Sequence, residues 1–362
     1  MIPFLSLTPG EDATEVRTAI DRVIARGWFV LGPELEAFER DFAGATGATH
    51  AVGVGNGTDA LALALRAIGV GPGDEVITAS MSAAFSALAI MMTGARPVFA
   101  DIDPERLTID PGACERAVTP QTRAIMPVHL YGQAADMTAI AAIAGARGIP
   151  IIEDCCQSHL ATCAGRPVGS FGAAAAYSFY PTKNLAALGD AGAVTTSDPA
   201  LAVTIRKLRN GGQSGKYHHE TFGVNSRLDE MQAAVLRVRL RWLGPWTSER
   251  RALAARYRER LRNADVHVPP ELDPGHVYHL FPVLSARRAA LQSHLKARGI
   301  ETLVHYPVAL PRQPAFASER PAECPVADRV AREVLSLPLH PGMTVKTIDE
   351  VAAALLAFGA AA

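Results

Sequence analysis

No apolar run in the 362-residue chain approaches the twenty or so residues that a membrane-spanning helix needs. The longest candidate, "AAFSALAIMM", stops after about ten, so no membrane partner is expected. Net charge is also nearly absent: 35 Lys and Arg stand against 36 Asp and Glu, which leaves no electrostatic footprint for nucleic acid. Cysteine is scarce and odd in number (Cys114, Cys155, Cys156, Cys163, Cys324), with no CxxC pair. That usage excludes a disulfide framework and predicts reduced thiols in a cytoplasmic protein. The adjacent Cys155 and Cys156 read as small core fillers rather than ligands. The eleven histidines include no HxxxH pair, so no metal site is expected. The N-terminal "MIPFLSLTPGEDATEV" has no basic region followed by an apolar run, so a signal peptide is not expected there.

What is present is ordinary globular composition, 49% hydrophobic and 20% charged, at a length that accommodates two domains. Between residues 50 and 197, seven short apolar runs recur: "HAVGVG", "EVITA", "PVFAD", "RAIMPV", "IPIIED", "AAYSF" and "GAVTTS". Helix-like segments separate the first five. This alternation predicts a doubly wound α/β layer, a mostly parallel seven-stranded sheet with ligands at the carboxyl ends of its strands. After residue 225 the texture changes to long basic-faced helices, with a break expected near Gly244-Pro245. Then follow a strand in "HVYHLFPVL", a helix in "RRAALQSHLKARG" and a further strand in "ETLVHYPV". The expected division is a large domain over 1–235 and a small α+β domain over 236–362.

"GVGNGTDALALAL" lacks the G-x-G-x-x-G spacing of a dinucleotide loop, which disfavours a nicotinamide oxidoreductase. It does lead Gly57 and Thr58 straight into a helix, where backbone N–H groups and a hydroxyl make a phosphate seat; a simple Thr58 N-cap is the alternative. "IPIIEDCCQSH" ends a buried strand with Glu153 and Asp154. Asp154 is either a helix N-cap or the partner of a ligand's ring nitrogen, with Gln157 in reach of the same ligand. In "SFYPTKNLAALGDAG", Lys183 sits among small and aromatic residues, with Ser178 five positions earlier. A surface lysine is the common alternative to a desolvated nucleophile there. Together, a phosphate seat, a carboxylate and an isolated lysine on strand-end loops fit pyridoxal 5′-phosphate (PLP).

These motifs, with "RGWFVLGPELEAFERDFA", "PVHLYGQAADM", "GVNSRLDEMQAAVL", "VHYPV" and "VLSLPLHPGMT", make the chain resemble the DegT/DnrJ/EryC1/StrS family of PLP-dependent nucleotide-sugar aminotransferases. The resemblance covers nearly the whole chain and implies the aspartate aminotransferase fold (fold type I). It implies that Lys183 is the Schiff-base lysine, that Asp154 pairs with the pyridine nitrogen and that Gln157 meets the ring oxygen. Gly57, Thr58 and Ser178 would bind the phosphate, and Asn225 would reach it from the neighbouring subunit of a homodimer. The implied reaction moves an amino group from L-glutamate, leaving 2-oxoglutarate, to a nucleotide-linked keto-deoxysugar faced by His305 and Tyr306; Gln157 favours carbon 3 over carbon 4. Dehydratase relatives carry histidine at the lysine position, so Lys183 favours transamination over dehydration; a regulatory member of the same fold is the other alternative. Three positions depart from the family pattern: Ala83 for an aromatic, Leu160 for glycine and Gly211 for histidine. Phe85, near the unfilled ring position, is expected to pack in the core, since on a regular helix it lies about 200° around from Ala83.

Overall fold

The computed structural model describes residues 1–317 and 322–360. The helices α1 (Ala13–Arg26) and α2 (Pro33–Thr46) precede the first strand. The large unit then runs β1 (His50–Val54), α3 (Gly57–Ala67), β2 (Glu75–Ala79), α4 (Phe85–Met92), β3 (Arg96–Ala100), α5 (Pro111–Arg116), β4 (Thr122–Met126), α6 (Met137–Arg147) and β5 (Ile152–Asp154). A small ribbon, β6 (Thr162–Cys163) and β7 (Arg166–Pro167), leads to β8 (Ala174–Ser178) and β9 (Gly192–Thr196). All seven expected apolar runs form strands. They assemble as two ladders, however, β3-β2-β4 and β5-β8-β9-β1, rather than one continuous sheet. Isolated parallel bridges, Ile125 to Ile151 and Val128 to Asp154, link the ladders' facing edges. Pro127 and Pro150 sit at this seam, where they accept bonds through their carbonyls (from Asp154 N–H and Ile125 N–H) but have no N–H to return. Pairing is parallel except at β9, which runs antiparallel to both β8 and β1.

Helix α7 (Pro199–Leu208) and a ribbon of β10 (Gln213–Gly215) and β11 (His218–His219) follow, then α8 (Glu230–Arg260). The expected break at Gly244-Pro245 does not occur, and α8 continues through Pro245. Packing outweighs the missing hydrogen bond: Val16, Ala19 and Val23 of α1 bury against Ala234, Val235 and Val238 of α8. Either side of the proline, Trp242 and Trp246 stack, and the Trp246 indole N–H donates to Glu11 at 2.8 Å. Beyond α8, β12 (Phe281–Leu284) pairs antiparallel with β13 (Val334–Leu337), flanked by α9 (Arg288–Ala297), α10 (Pro325–Glu333) and α11 (Val345–Ala360). The strand expected in "ETLVHYPV" is reduced to one bridge, Leu303 to Ser336; β13 takes the place beside β12. All five cysteines are free. Among the described residues no helix is long and apolar enough to cross a membrane.

Two of the unusual positions have backbone explanations. Leu160 adopts φ +61°, the left-handed region that explains glycine's preference there. Gly211 is also left-handed, and a Cβ on it would meet His219 Cε1 at 3.3 Å, so His219 fills the space beside it.

The first turn of α2 has no side-chain cap of its own. Glu230, fully buried at the start of α8, supplies one: its carboxylate accepts from the N–H groups of Gly32 (3.0 Å), Glu34 (2.8 Å) and Leu35 (2.8 Å). Glu230→Ala leaves three buried donors unpaired, and urea unfolding is expected to show a loss of about 3 kcal/mol or more. A loss below about 1 kcal/mol would show that this cap is dispensable.

Candidate active site

Strand β5 ends in two buried carboxylates, and the pleat sends them to opposite faces. Glu153 accepts from the N–H groups of Gly169 (2.7 Å), Phe171 (2.7 Å) and Gly172 (2.8 Å). His129 also faces it, Nε2 to Oε2 at 3.2 Å, while His129 Nδ1 accepts from Ala135 N–H at 3.0 Å. The imidazole therefore carries its proton on Nε2 and donates to Glu153. Cys155 lies beside this pair, but both ring nitrogens and both carboxylate oxygens are engaged, so the cluster reads as structure rather than as a metal site.

Asp154 turns the other way, into a cleft of about 1080 Å³. Its Oδ2 accepts from the Ser86 hydroxyl at 2.7 Å and its Oδ1 from Cys156 N–H at 3.1 Å. It does not cap a helix. The same cleft is lined by Gly57, Thr58, Gln157, Ser178, Lys183 and Tyr306, so six of the residues singled out in the sequence converge on Asp154.

Lys183 follows a tight turn in which its N–H donates to Tyr180 O at 2.8 Å. Among the described residues its amine has no hydrogen-bond or ion-pair partner. Burial pushes the amine below the usual lysine range, against the opposing pull of Cys156 and Asp154. A lysine so placed has more of the neutral, nucleophilic form near neutral pH. The histidines around it are neutral near pH 7: burial, then the nearby Lys183 amine, pushes His159 down to about 3 and His305 to about 4. Burial likewise raises the Tyr306 phenol to about 12, so it remains protonated.

Gln157 is oriented by its neighbours. Its Oε1 accepts from Tyr131 N–H at 2.8 Å, and its Nε2 donates to the Tyr306 hydroxyl at 3.1 Å, leaving one amide hydrogen for a ligand. The Tyr131 hydroxyl in turn donates to His305 O, which ties the large unit to the segment carrying His305 and Tyr306.

At the other end of the cleft Gly57 and Thr58 open α3. Asn56, not Thr58, is the N-cap, accepting from Asp59 N–H at 2.8 Å. Thr58 stands inside the first turn, with its hydroxyl and the first N–H groups left for an anion. Ser226 steadies the seat by donating to Asp59 at 2.6 Å and accepting from Gly55 N–H at 3.0 Å. Asn225, next to it, is exposed and does not line its own chain's cleft. Phe85 does not pack in the core: it opens α4, is 61% exposed and lines the cleft with Ala83. The helix begins only at Phe85, so the direction assigned to its ring from a regular helix through Ala83 does not apply.

Sequence reasoning missed Ser86 and Tyr131, whose partners lie far away in the chain and leave no local signature. Asn56 did have one, an Asn with an acidic residue three positions on before an apolar run. A Cβ at Gly57 would stand 2.6 Å from Ser178 Cβ and 3.0 Å from Cys156 Sγ. Gly57→Ala is therefore expected to lower stability by about 1–3 kcal/mol in urea unfolding and to weaken binding of inorganic phosphate. Unchanged stability and phosphate affinity would show that the seat has slack.

The DegT/DnrJ/EryC1/StrS aminotransferase family profile matches residues 11–356. The chain is 49% identical to the Streptomyces venezuelae dTDP-3-amino-3,4,6-trideoxy-alpha-D-glucose transaminase, over 97% of this chain and 95% of that protein. It is 46% identical to the erythromycin biosynthesis sensory transduction protein EryC1 of Saccharopolyspora erythraea, over 98% and 99%. The crystal structure of S. venezuelae DesV in complex with a ketimine intermediate superposes with a TM-score of 0.95, at 49% identity, covering 99% of this chain and 98% of that one. On these matches, which run nearly end to end, the chain belongs to the DegT/DnrJ/EryC1/StrS aminotransferase family.

Proposed function

We propose that the protein transfers the amino group of L-glutamate to a nucleotide-linked keto-deoxysugar, at carbon 3, with PLP as cofactor. One observation carries this: the unpartnered, depressed Lys183 amine shares a cleft with the Asp154 carboxylate and the N-terminus of α3. The residues fit the cofactor. Gly57 is a position where any side chain would fill the cradle, Gln157 is preset to donate, and Asp154 retains free acceptor capacity. In this arrangement Gly57, Thr58 and Ser178 hold the phosphate, Gln157 the ring oxygen and Asp154 the protonated ring nitrogen. When bound, PLP supplies an electron sink for the carbon that loses its proton. Lys183 Nζ takes up that proton and returns it, as general base and then acid. The neutral His305 and Tyr306 side chains offer hydrogen bonds to the sugar without competing for the proton. The 3-amino product in the S. venezuelae relative's name supports carbon 3. In this scheme the two sheet ladders act as one seven-stranded platform for the strand-end loops.

The assay is glutamate-dependent amination across a panel of nucleotide keto-sugars. Wild type is expected to aminate at least one 3-keto sugar and release 2-oxoglutarate, and Lys183→Ala to do neither while remaining folded. Dehydration without amination, or no turnover across the whole panel, would favour the dehydratase or regulatory alternatives.

We also propose a homodimer in which Asn225 serves the partner's phosphate seat. Its exposure supports this, as do exposed apolar side chains such as Trp28, Phe29, Met91 and Met92. Mixing inactive Lys183→Ala subunits with inactive Asn225→Ala subunits is then expected to restore activity, since each hybrid dimer carries one intact site. No recovery, with subunit exchange demonstrated, would place Asn225 in its own subunit's site or in none.

A further inference from the structure

Three arginines are buried among the described residues: Arg209, Arg239 and Arg250. Arg209 is paired with Glu39 at 2.5 Å and Arg239 with Asp12 at 2.7 Å. Arg250, on α8 and 4% exposed, has no carboxylate partner. Its Nη1 donates to two carbonyls, Tyr278 O at 3.2 Å and Leu339 O at 2.9 Å. Its Nε is sealed in without an acceptor, and its Nη2 has none either among the described residues. Burial lowers the guanidinium to about 10, which still leaves it charged at neutral pH. A buried cation without an anion is unfavourable, and Nη2, which has no partner among the described residues and is not sealed in, is the nitrogen left to meet a carboxylate.

Arg250 also shares a cavity of about 410 Å³ with Lys183, Thr182 and Asn184 of the lysine loop. The acidic groups on its wall are engaged or solvated. Asp12 is held by Arg239; Glu11 accepts from the Trp246 indole and Glu249 from Gly342 N–H at 3.3 Å, and both are exposed. Arg250 is left as the uncompensated cation of this space, with the Lys183 amine on the same wall.

We infer that Arg250 takes a carboxylate of the amino donor, on the side of Lys183 served by this smaller cavity, while the larger cleft beside Asp154 takes the nucleotide sugar. The inference rests on the proposed transfer from glutamate and adds where the donor is held. A 410 Å³ space suits a five-carbon dicarboxylate, whereas a nucleotide sugar needs the larger cleft.

The test uses the PLP-loaded enzyme, with glutarate as a dicarboxylate that cannot react. Arg250→Gln and Arg250→Lys are expected to raise the KM for glutamate about tenfold or more, leaving the sugar KM within about twofold. Glutarate binding, read by calorimetry, is expected to weaken by the same factor. Glutarate is also expected to protect Arg250 of the wild-type enzyme from butanedione, mapped by mass spectrometry. Folded variants with unchanged glutamate KM and glutarate affinity would overturn the inference. So would equal rises in both KM values with glutarate affinity intact, since Arg250 would then only brace Tyr278 and Leu339. A rise in the sugar KM alone would assign Arg250 to the diphosphate instead. Should neither variant fold, wild-type protection decides, and its absence overturns the inference. If wild type aminates no sugar, the proposed function fails, while the glutarate titration still reads Arg250 on its own.

Discussion

The site depends on the pleat at the end of β5, which separates two buried carboxylates that are neighbours in the chain. Glu153 is satisfied by hydrogen bonds from three backbone N–H groups and the His129 ring, and so fixes the loop that feeds β8. Asp154 is met by one hydroxyl and one N–H, which leaves it acceptor capacity toward the cleft. A one-residue slip of β5 would exchange them, sending the loop anchor into the cleft. The chemistry on one side of the strand is thus made possible by the hydrogen-bond satisfaction on the other.

Much of this was legible because it is local. The buried runs announce their strands by composition, and Lys183, Asp154, Gly57, Thr58, Gln157 and Ser178 all stand at or just beyond strand ends. That placement forces them onto one edge of the large unit. Long-range pairing was not legible. The partner of β12 is β13, more than fifty residues on, while the nearer "ETLVHYPV" with its better strand composition forms only a bridge. Ser86 reaches Asp154 across 68 positions, and Tyr131 reaches His305 across 174. The break read at Pro245 failed for a related reason: the local rule is sound, but α1 packs along α8 and holds it in register. Phe85 was misplaced because helix periodicity was extended back through Ala83, two residues before the helix begins.

The electrostatic setting of Lys183 is as distinctive as its position. Burial keeps the imidazoles of His159, His279 and His305 uncharged. It also holds the Cys156 thiol protonated beside the cleft. None of these four neighbours therefore competes with the lysine amine for a proton near neutral pH.

Helix α8 has a consequence for how the molecule comes apart. It starts at Glu230, which caps α2, and its far end holds Asp349 of α11 through Arg256 at 2.7 Å. At 31 residues it is a strut about 46 Å long, crossing the expected domain boundary at residue 235 without interruption. Its first half contributes Ala233, Leu236 and Leu243 to one core cluster and its second half Leu253, Ala254 and Tyr257 to another. Severing the chain between residues 235 and 236 would cut a helix that both halves share.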